Sequence, residues 1–144
     1  MTTATTTSSV GDLAVARDLA DKLVQFLETN EAPDGLFADS AFMDLTLPRW
    51  RLQEQGRDRL VGTRRESHPV VGSTRPVRFD PTASGFLLEI EERWFDGGED
   101  WYCRELIRCD VEDGSIAELS VYCTGDWDQA RVAEHAAAVT LLRP

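Results

Sequence analysis

The chain has 144 residues, 42% of them hydrophobic and 28% charged, a composition typical of one globular domain large enough to bury a core. No apolar run approaches the roughly 18 residues of a membrane span, and the start, MTTATTTSSVGD, lacks the features of a secretion signal, so we expect a cytoplasmic protein without a membrane partner. The formal net charge of -11 argues against a nucleic-acid partner, because phosphate backbones require clustered lysine and arginine.

The first predicted element is an amphipathic helix behind a polar leader. Residues 1–10 are interpreted as the flexible leader. Apolar side chains recur at helical spacing across residues 13–27, and Ser9 with Asp12 resembles a capping box at the start of the helix. Asn30, followed by Pro33 and Asp34-Gly35, marks the end of the helix.

Two shorter elements follow before the strands. The stretch GLFADSAFMDLTLPRWR predicts a short helical turn that runs into an extended segment, with Pro48 at the end of a strand or on an edge. The stretch GRDRLVGTRRE, which begins at Gly56, predicts a second and shorter helix.

Strands dominate the rest of the chain, and an antiparallel meander is their simplest pairing. The segments are separated by turn signals such as Asp96-Gly97-Gly98. They read PVRFD, GFLLEIEERWF, DWYCRELIRCDV and SIAELSVYCT. Residues 11–144 are therefore predicted to form a single α+β domain, in which a strongly curved antiparallel sheet packs against an N-terminal helix and shorter helices.

Alternation along the strands predicts which acids face the helices. Phe86, Leu88 and Ile90 share one face with Glu92, and the apolar face of the next strand carries Glu105. The same rule puts Ala117, Leu119 and Val121 on the inner face of the last strand, and Tyr122 on the opposite one. We therefore expect Glu92 and Glu105 on the inner side of the sheet.

The cysteines and the known catalytic motifs argue against a metal or a cofactor. Cys103, Cys109 and Cys123 all lie in apolar stretches and are expected to be reduced and buried. Neither a CxxC pair nor a set of histidines suggests a metal site, and there is no phosphate-binding glycine loop, GxSxG or HExxH motif. We expect no metal and no cofactor.

The stretch VYCTGDWDQARVAEH is the junction between the last strand and a closing helix. Asp126 and Asp128 precede the helical pattern, where an aspartate accepts unpaired backbone N–H groups and meets the positive end of the helix dipole. His135 is expected on the surface of this helix rather than in a site.

The order of elements resembles the nuclear transport factor 2-like superfamily, and its SnoaL-like branch in particular. The features that carry the resemblance are a long helix, LFAD running into an extended segment, a short helix opened by Gly-Arg-Asp, and three long strands ending in Val-Tyr. It extends from about Leu13 to the end of the chain. It implies a cone with an apolar pocket, a homodimer, and relatives that include polyketide cyclases, ketosteroid isomerases and epoxide hydrolases.

The resemblance also suggests where a catalytic base would lie. In the isomerases a base follows an LFAD-like turn by a few residues, and the match brings Leu45 to that position, with Asp44 one residue early. A shift of one residue turns a side chain to the opposite face, so only a bulge would bring Asp44 into the pocket.

Two functions from different classes follow. The first is a small cofactor-free enzyme that isomerises, cyclises or dehydrates a hydrophobic, polyketide-like metabolite, with Asp44 and Glu105 as acid/base residues. The second is a non-catalytic domain that binds a small molecule or dimerises on the same fold. The residues expected to contact the hydrophobic ligand are Trp50, His68, Glu92, Trp94, Trp101 and Tyr122.

Overall fold

The computed structural model describes residues 10–144, except for the side chain of Val10, and confirms the predicted α+β class. The leader and the proposed cap at Ser9 lie outside the described residues. Three helices and six strands follow one another along the chain. They are α1 (Val10–Thr29), β1 (Phe37–Leu47), β2 (Trp50–Gln55), α2 (Arg57–Ser67), β3 (Ser73–Pro81), β4 (Gly85–Asp96), β5 (Glu99–Glu112), β6 (Ser115–Cys123) and α3 (Gln129–Ala138).

The end of α1 is built as its sequence predicts. Asn30 adopts a left-handed conformation with φ of 59°, and its backbone N–H donates to the carbonyl of Phe26 at 2.7 Å. Asparagine is one of the few residues that take up this conformation readily, so the chain turns here without a glycine. Asn30 is buried, and its side chain is free to bond to the neighbouring helix.

The segment after α1 differs from the prediction, because it forms a hairpin with no helical turn. LFAD leads directly into β1, which pairs antiparallel with β2 around Pro48 and Arg49. Arg49 has φ of 60°, a conformation typical of tight turns. The apolar residues of LFAD do not mark a helix, since Leu36 and Phe37 are buried by long-range packing against the core.

The six strands form one open sheet in the order β2-β1-β6-β5-β4-β3. The strands β3 to β6 form the predicted antiparallel meander, but β1 joins β6 in parallel, so the sheet is mixed. A bulge in β1 between Phe37 and Phe42 shifts the register of that parallel pair. It lies upstream of Asp44 and leaves Met43 and Leu45, rather than Asp44, on the inner face.

A second irregularity corrects the predicted face of β6. The pairing with β5 moves from Glu118 opposite Asp110 to Ile116 opposite Val111, so Ala117 is an extra residue on β6. Such a bulge reverses the alternation upstream of it. Ile116 is therefore fully buried and Ala117 is only partly buried, whereas Leu119 and Val121 lie on the inner face as predicted.

The core lies between the inner face of the sheet and the helices α1 and α2. One helix packs on β3 and β4, and the other on β1 and β2. Among residues 10–144 no helix is long and apolar enough to cross a membrane. The largest fully buried side chains are Phe86, Leu19, Leu23, Leu36, Leu60, Leu88, Ile90, Ile107, Ile116, Cys103 and Cys109.

Candidate functional site

An apolar cavity of about 140 Å³ lies between the two helices and the inner face of the sheet. Its polar lining comes from three neighbouring places: the last turns of α2, the paired positions Glu105 and Cys123, and Asp126 after β6. The apolar lining consists of Leu23, Phe26, Leu27, Phe37, Met43, Leu45, Leu47, Leu60, Ile107, Leu119 and Val121. The cavity thus has an apolar body and a small set of titratable groups.

A larger surface groove lies elsewhere and lacks this chemistry. It has a volume of about 280 Å³ and lies between the first turns of α1 and the loop of residues 81–85. Both of its acids, Asp12 and Asp113, are exposed to solvent. We centre the site on the 140 Å³ cavity, because it combines an apolar lining with the buried Glu105.

Glu105 is the buried acid of this cavity. Its side chain projects from β5 among apolar neighbours, and burial together with the nearby charge of Glu92 raises its pKa well above the ordinary value. A carboxyl group in such surroundings stays protonated at higher pH, because the interior solvates its anion poorly. The predicted inner position of Glu105 is confirmed.

Glu92 lies beside Glu105 but behind the cavity wall, and it carries the charge of the pair. Arg64 donates two hydrogen bonds to its carboxylate, at 2.6 and 3.2 Å. Burial opposes ionisation of Glu92, but the hydrogen bonds and the charge of Arg64 lower its pKa below the ordinary value. The pKa values of the two glutamates are therefore driven apart: that of Glu105 is raised and that of Glu92 is lowered.

Asn30 fixes the position of Arg64 relative to α1. Its side-chain oxygen accepts a hydrogen bond from Arg64 at 3.2 Å, and its amide donates to the carbonyl of His68 at 2.9 Å. Arg64 also donates to the carbonyl of Leu27 at 2.9 Å. Arg64 thereby satisfies one carbonyl at the end of α1, and these hydrogen bonds hold the end of α2 over the cavity.

Two cysteines complete the surroundings of Glu105. The Cys103 sulfur lies 3.7 Å from carboxylate oxygens of both Glu92 and Glu105, and Cys123 lies opposite Glu105 on β6. Ligand atoms of Cys103, Glu105 and Cys123 all lie within 4.8 Å of one another, the one such group among residues 10–144. A hydrogen bond to Cys123 and burial raise the pKa of the Cys103 thiol, whereas the same hydrogen bond lowers the pKa of Cys123.

His68 closes one side of the cavity and also faces a shallow outer pocket. That pocket, of about 180 Å³, is lined by Trp94, Trp101 and Asp126 among others. The imidazole packs edge-on against Trp94, with ring centroids 4.3 Å apart, and Trp94 stacks on Trp101 at 6.3 Å. Burial and the charge of Arg64 lower the pKa of His68, so the ring is neutral near pH 7.

Asp126 and Asp128 have different roles. Asp128 is the N-cap of α3, because its side chain accepts from the backbone N–H of Arg131 at 2.8 Å, as predicted. Asp126 is not the cap; it lies at the rim of both pockets, held there by the backbone bonds between Trp127 and Tyr102 at 2.7 and 3.0 Å. Although Asp126 retains solvent exposure, partial desolvation raises its pKa.

Three of the predicted site residues lie on the outer face or at the edge of the sheet, away from the cavity and its rim. Asp44 points to the outer face, where Arg51 donates at 2.9 Å to one of its carboxylate oxygens and lowers its pKa. The bulge that would have turned it inward is absent at that position, so the prediction of a pocket acid at Asp44 is wrong. Trp50 is 67% exposed at the start of an edge strand, and Tyr122 is 58% exposed on the outer face, so neither reaches the cavity.

The other five predicted residues, His68, Glu92, Trp94, Trp101 and Glu105, gather around the cavity and its rim. Sequence reasoning missed Arg64, Asn30 and the site position of Asp126. Arg64 is one of two adjacent arginines, and only the helix register distinguishes it from Arg65. Asn30 had a visible signal as a helix terminator, but its second role depends on the packing of two helices.

The architecture is that of the nuclear transport factor 2-like fold. An NTF2-like protein from Anabaena variabilis ATCC 29413 superposes with a TM-score of 0.67 at 16% identity, over 88% of this chain and 96% of that one. An LEH-like epoxide hydrolase of M. tuberculosis gives a TM-score of 0.61 at 16% identity, over 76% and 83% of the two chains. A protein from Kribbella flavida DSM 17836, provisionally assigned as a ketosteroid isomerase, gives 0.56 at 18% identity, over 91% and 92%.

These likenesses establish the nuclear transport factor 2-like fold; membership of that superfamily and of its SnoaL-like branch stays a prediction. No protein-family model matches the sequence, and no curated protein matches it. Function must therefore be inferred from the cavity and its titratable groups.

Proposed function

We propose that this protein is a small cofactor-free enzyme that moves a proton next to a carbonyl group of a hydrophobic small molecule. The observation that carries the proposal is the buried carboxyl group of Glu105 in the wall of an apolar cavity, where its pKa is raised well above the ordinary value, beside the Glu92–Arg64 ion pair. Titratable groups whose pKa values are driven apart by their surroundings are characteristic of acid/base sites. The fold neighbours described as an epoxide hydrolase and an isomerase are compatible with this class of chemistry.

The chemistry assigns one carboxyl group to each half of the reaction. Glu105 donates its proton to the carbonyl oxygen, while Asp126, which lines the same cavity, removes the proton from the adjacent carbon. The C–H bonding pair becomes the C=C bond of an enol. In a β,γ-unsaturated ketone, Asp126 then returns its proton to the γ carbon while the enol O–H gives its proton back to Glu105, which restores the carbonyl group and completes an isomerisation. Desolvation raises the pKa of Asp126, and a carboxylate with a raised pKa is the stronger base.

The volume of the cavity limits the ligand. A space of about 140 Å³ holds a molecule about the size of benzene. We therefore propose a ligand whose buried part is a single ring or a short branched chain, in preference to the polycyclic polyketides that the resemblance suggests. Isomerisation or dehydration of such a compound fits this space better than cyclisation of a long chain.

The test uses cyclohexanone as a single-ring ketone in deuterated water. Exchange of its α-hydrogens for deuterium, followed by mass spectrometry, reports enolisation without knowledge of the natural substrate. Glu105→Gln is nearly isosteric and should lower the exchange rate by about 10²- to 10⁴-fold, the usual contribution of a positioned acid or base. Asp126→Asn should lower it similarly.

Glu91→Gln is the matched control for that experiment. Glu91 is a buried glutamate on β4 like Glu92, but it faces the other side of the sheet and pairs with Arg75 at 2.6 Å. This variant should exchange cyclohexanone at the wild-type rate. Equal exchange by wild type and Glu105→Gln would remove the proposed role of Glu105.

A non-catalytic binding domain is the second candidate, and one observation favours it. The charge of Glu92 is fully matched by Arg64, an arrangement that also occurs where a buried ion pair has only a structural role. Binding of cyclohexanone, detected as an increase in melting temperature, without any deuterium exchange would support this candidate.

We also propose that the protein forms a homodimer through the outer face of the sheet. Leu106 is 44% exposed there and lies opposite Tyr122, which is 58% exposed, so the two form an apolar patch on adjacent strands. Exposed apolar side chains that adjoin one another are typical of association surfaces. Sedimentation velocity should give a dimer for wild type and a monomer for Leu106→Asp; a wild-type monomer at high concentration would contradict the proposal.

A further inference from the structure

His68 has two polar atoms that the protein leaves without partners. Both ring nitrogens are buried, and neither forms a hydrogen bond within the described residues. The backbone of Val70 lies close enough to influence the pKa of the ring, but outside hydrogen-bond geometry. Buried polar atoms almost always have hydrogen-bond partners in native proteins, so two buried ring nitrogens without a partner in a cavity wall require an explanation.

The ring is held in place despite these unpaired atoms. Trp94 packs against it at 4.3 Å, and the His68 carbonyl accepts a hydrogen bond from Asn30 at 2.9 Å. His68, Ser67 and Asp126 line both the apolar cavity and the outer pocket, so they form the partition between the two spaces. A neutral imidazole offers one N–H donor and one acceptor nitrogen at this partition.

We propose that His68 is a specificity residue, and that the ligand is a single-ring-sized molecule carrying a hydroxyl or similar hydrogen-bonding group, which pairs with the His68 ring at the mouth of the cavity. This inference rests on the proposed function, since it uses the same cavity. The ligand is then amphiphilic, with its apolar ring against the leucines and its polar group at the partition. A site built around a buried hydrogen-bonding group rejects analogues that lack the matching group.

The test compares phenol with toluene, two rings of similar size that differ in one hydroxyl. In ¹⁵N-labelled wild-type protein, the NMR chemical shifts of the His68 ring nitrogens should change when phenol is added. Toluene should change them far less. The chain has two histidines, so His135 serves as the internal reference and the His135→Gln variant assigns both signals. Calorimetry then gives the two affinities in wild type and in His68→Leu.

The ratio of phenol to toluene affinity should fall about tenfold in His68→Leu, because the variant removes the partner of the hydroxyl while keeping an apolar wall. An unchanged ratio would overturn the inference, as would His68 signals that respond equally to both compounds, the result expected if trapped water satisfies the ring. Binding of neither compound would remove the cavity as a ligand site, and the inference with it. If no variant and no wild-type protein exchanged the α-hydrogens of cyclohexanone but the wild type still preferred phenol to toluene, the proposed enzymatic function would be contradicted and the role of His68 would stand.

Discussion

The two faces of the sheet carry the same ion-pair chemistry in different surroundings. Glu91 and Glu92 are neighbours on β4; one pairs with Arg75 on the outer face, and the other with Arg64 on the inner face, both at 2.6 Å. The side chain of Arg75 is 62% exposed, whereas that of Arg64 is 13% exposed. Arg64 also donates hydrogen bonds to the side chain of Asn30 and to the carbonyl of Leu27. The N–O distance of an ion pair therefore does not distinguish a surface pair from one in a site. Burial and further hydrogen bonds to neighbouring residues do.

The largest expected difference between the faces comes from removing one arginine at a time. Arg64→Met leaves Glu92 charged and buried, which should lower the free energy of unfolding by about 3–5 kcal/mol. Arg75→Met removes a largely exposed partner and should cost less than about 1 kcal/mol. Urea unfolding of both variants measures the contrast, and equal losses would show that the inner pair is no more than a surface pair in energetic terms.

A second contrast uses adjacent residues on β5. Ile107 is 1% exposed and lines the cavity, whereas Leu106 is 44% exposed on the outer face. Ile107→Ala should destabilise the fold by about 2–5 kcal/mol, since it deletes buried methyl groups and enlarges a cavity. Leu106→Ala should change the stability of dilute protein by only about 0.5 kcal/mol. Comparable losses in thermal unfolding would mean that the outer face is buried in a partner even at low concentration.

The pH dependence of stability separates the faces more finely. The folded-state pKa of Glu105 lies above its unfolded value, so its stabilising effect is complete below about pH 4.5 and is lost as the pH rises through the folded pKa. Glu92 has the opposite sign, since its lowered pKa gives stability that is lost as the pH falls. Glu105→Gln should flatten the alkaline decline of unfolding free energy, and Glu91→Gln should not. A decline that persists in Glu105→Gln would show that another group titrates.

The smallest effect is expected at Asp44. Its lowered pKa on the outer face implies a stabilising contribution that is present above the unfolded pKa and is lost as the pH falls. Asp44→Asn should therefore soften only the acid limb of the stability curve, leaving cyclohexanone exchange and phenol binding at their wild-type values. A drop in exchange rate would return Asp44 to the site and contradict its outward orientation.

Most of the architecture could be predicted because it follows from local rules. The period of α1, the turn signals of the meander and the alternation along β4 and β5 each act over a few residues, and they gave the inner positions of Glu92 and Glu105. The hairpin of β1 and β2 was missed, since LFAD has no local feature that distinguishes a helical turn from a strand entrance. The bulges could not be predicted for the same reason, because the extra residue at Ala117 is defined only by its pairing with the partner strand.

Single residues of the site were predicted, but the contacts that join them were not. Glu105 stands out on its own strand because its neighbours on that face are apolar. The hydrogen bonds that link Glu92, Arg64 and Asn30 instead join residues up to 62 positions apart, which meet only because α1 and α2 pack together over β4. No spacing rule connects such residues. The same limit explains why Cys103 and Cys123, which are unremarkable in sequence, prove to be neighbours across two strands.

The bridge between Tyr102 and Trp127 has a consequence for the timing of ligand exchange. Two backbone hydrogen bonds outside the regular ladder hold the segment that carries Asp126 against the cavity mouth. Backbone that is held by isolated bonds outside a regular ladder opens more often than the strands beside it. We expect the residence time of a bound ring to follow the opening rate of this bridge, so that amide hydrogen exchange at Trp127 and the dissociation rate of phenol rise and fall together.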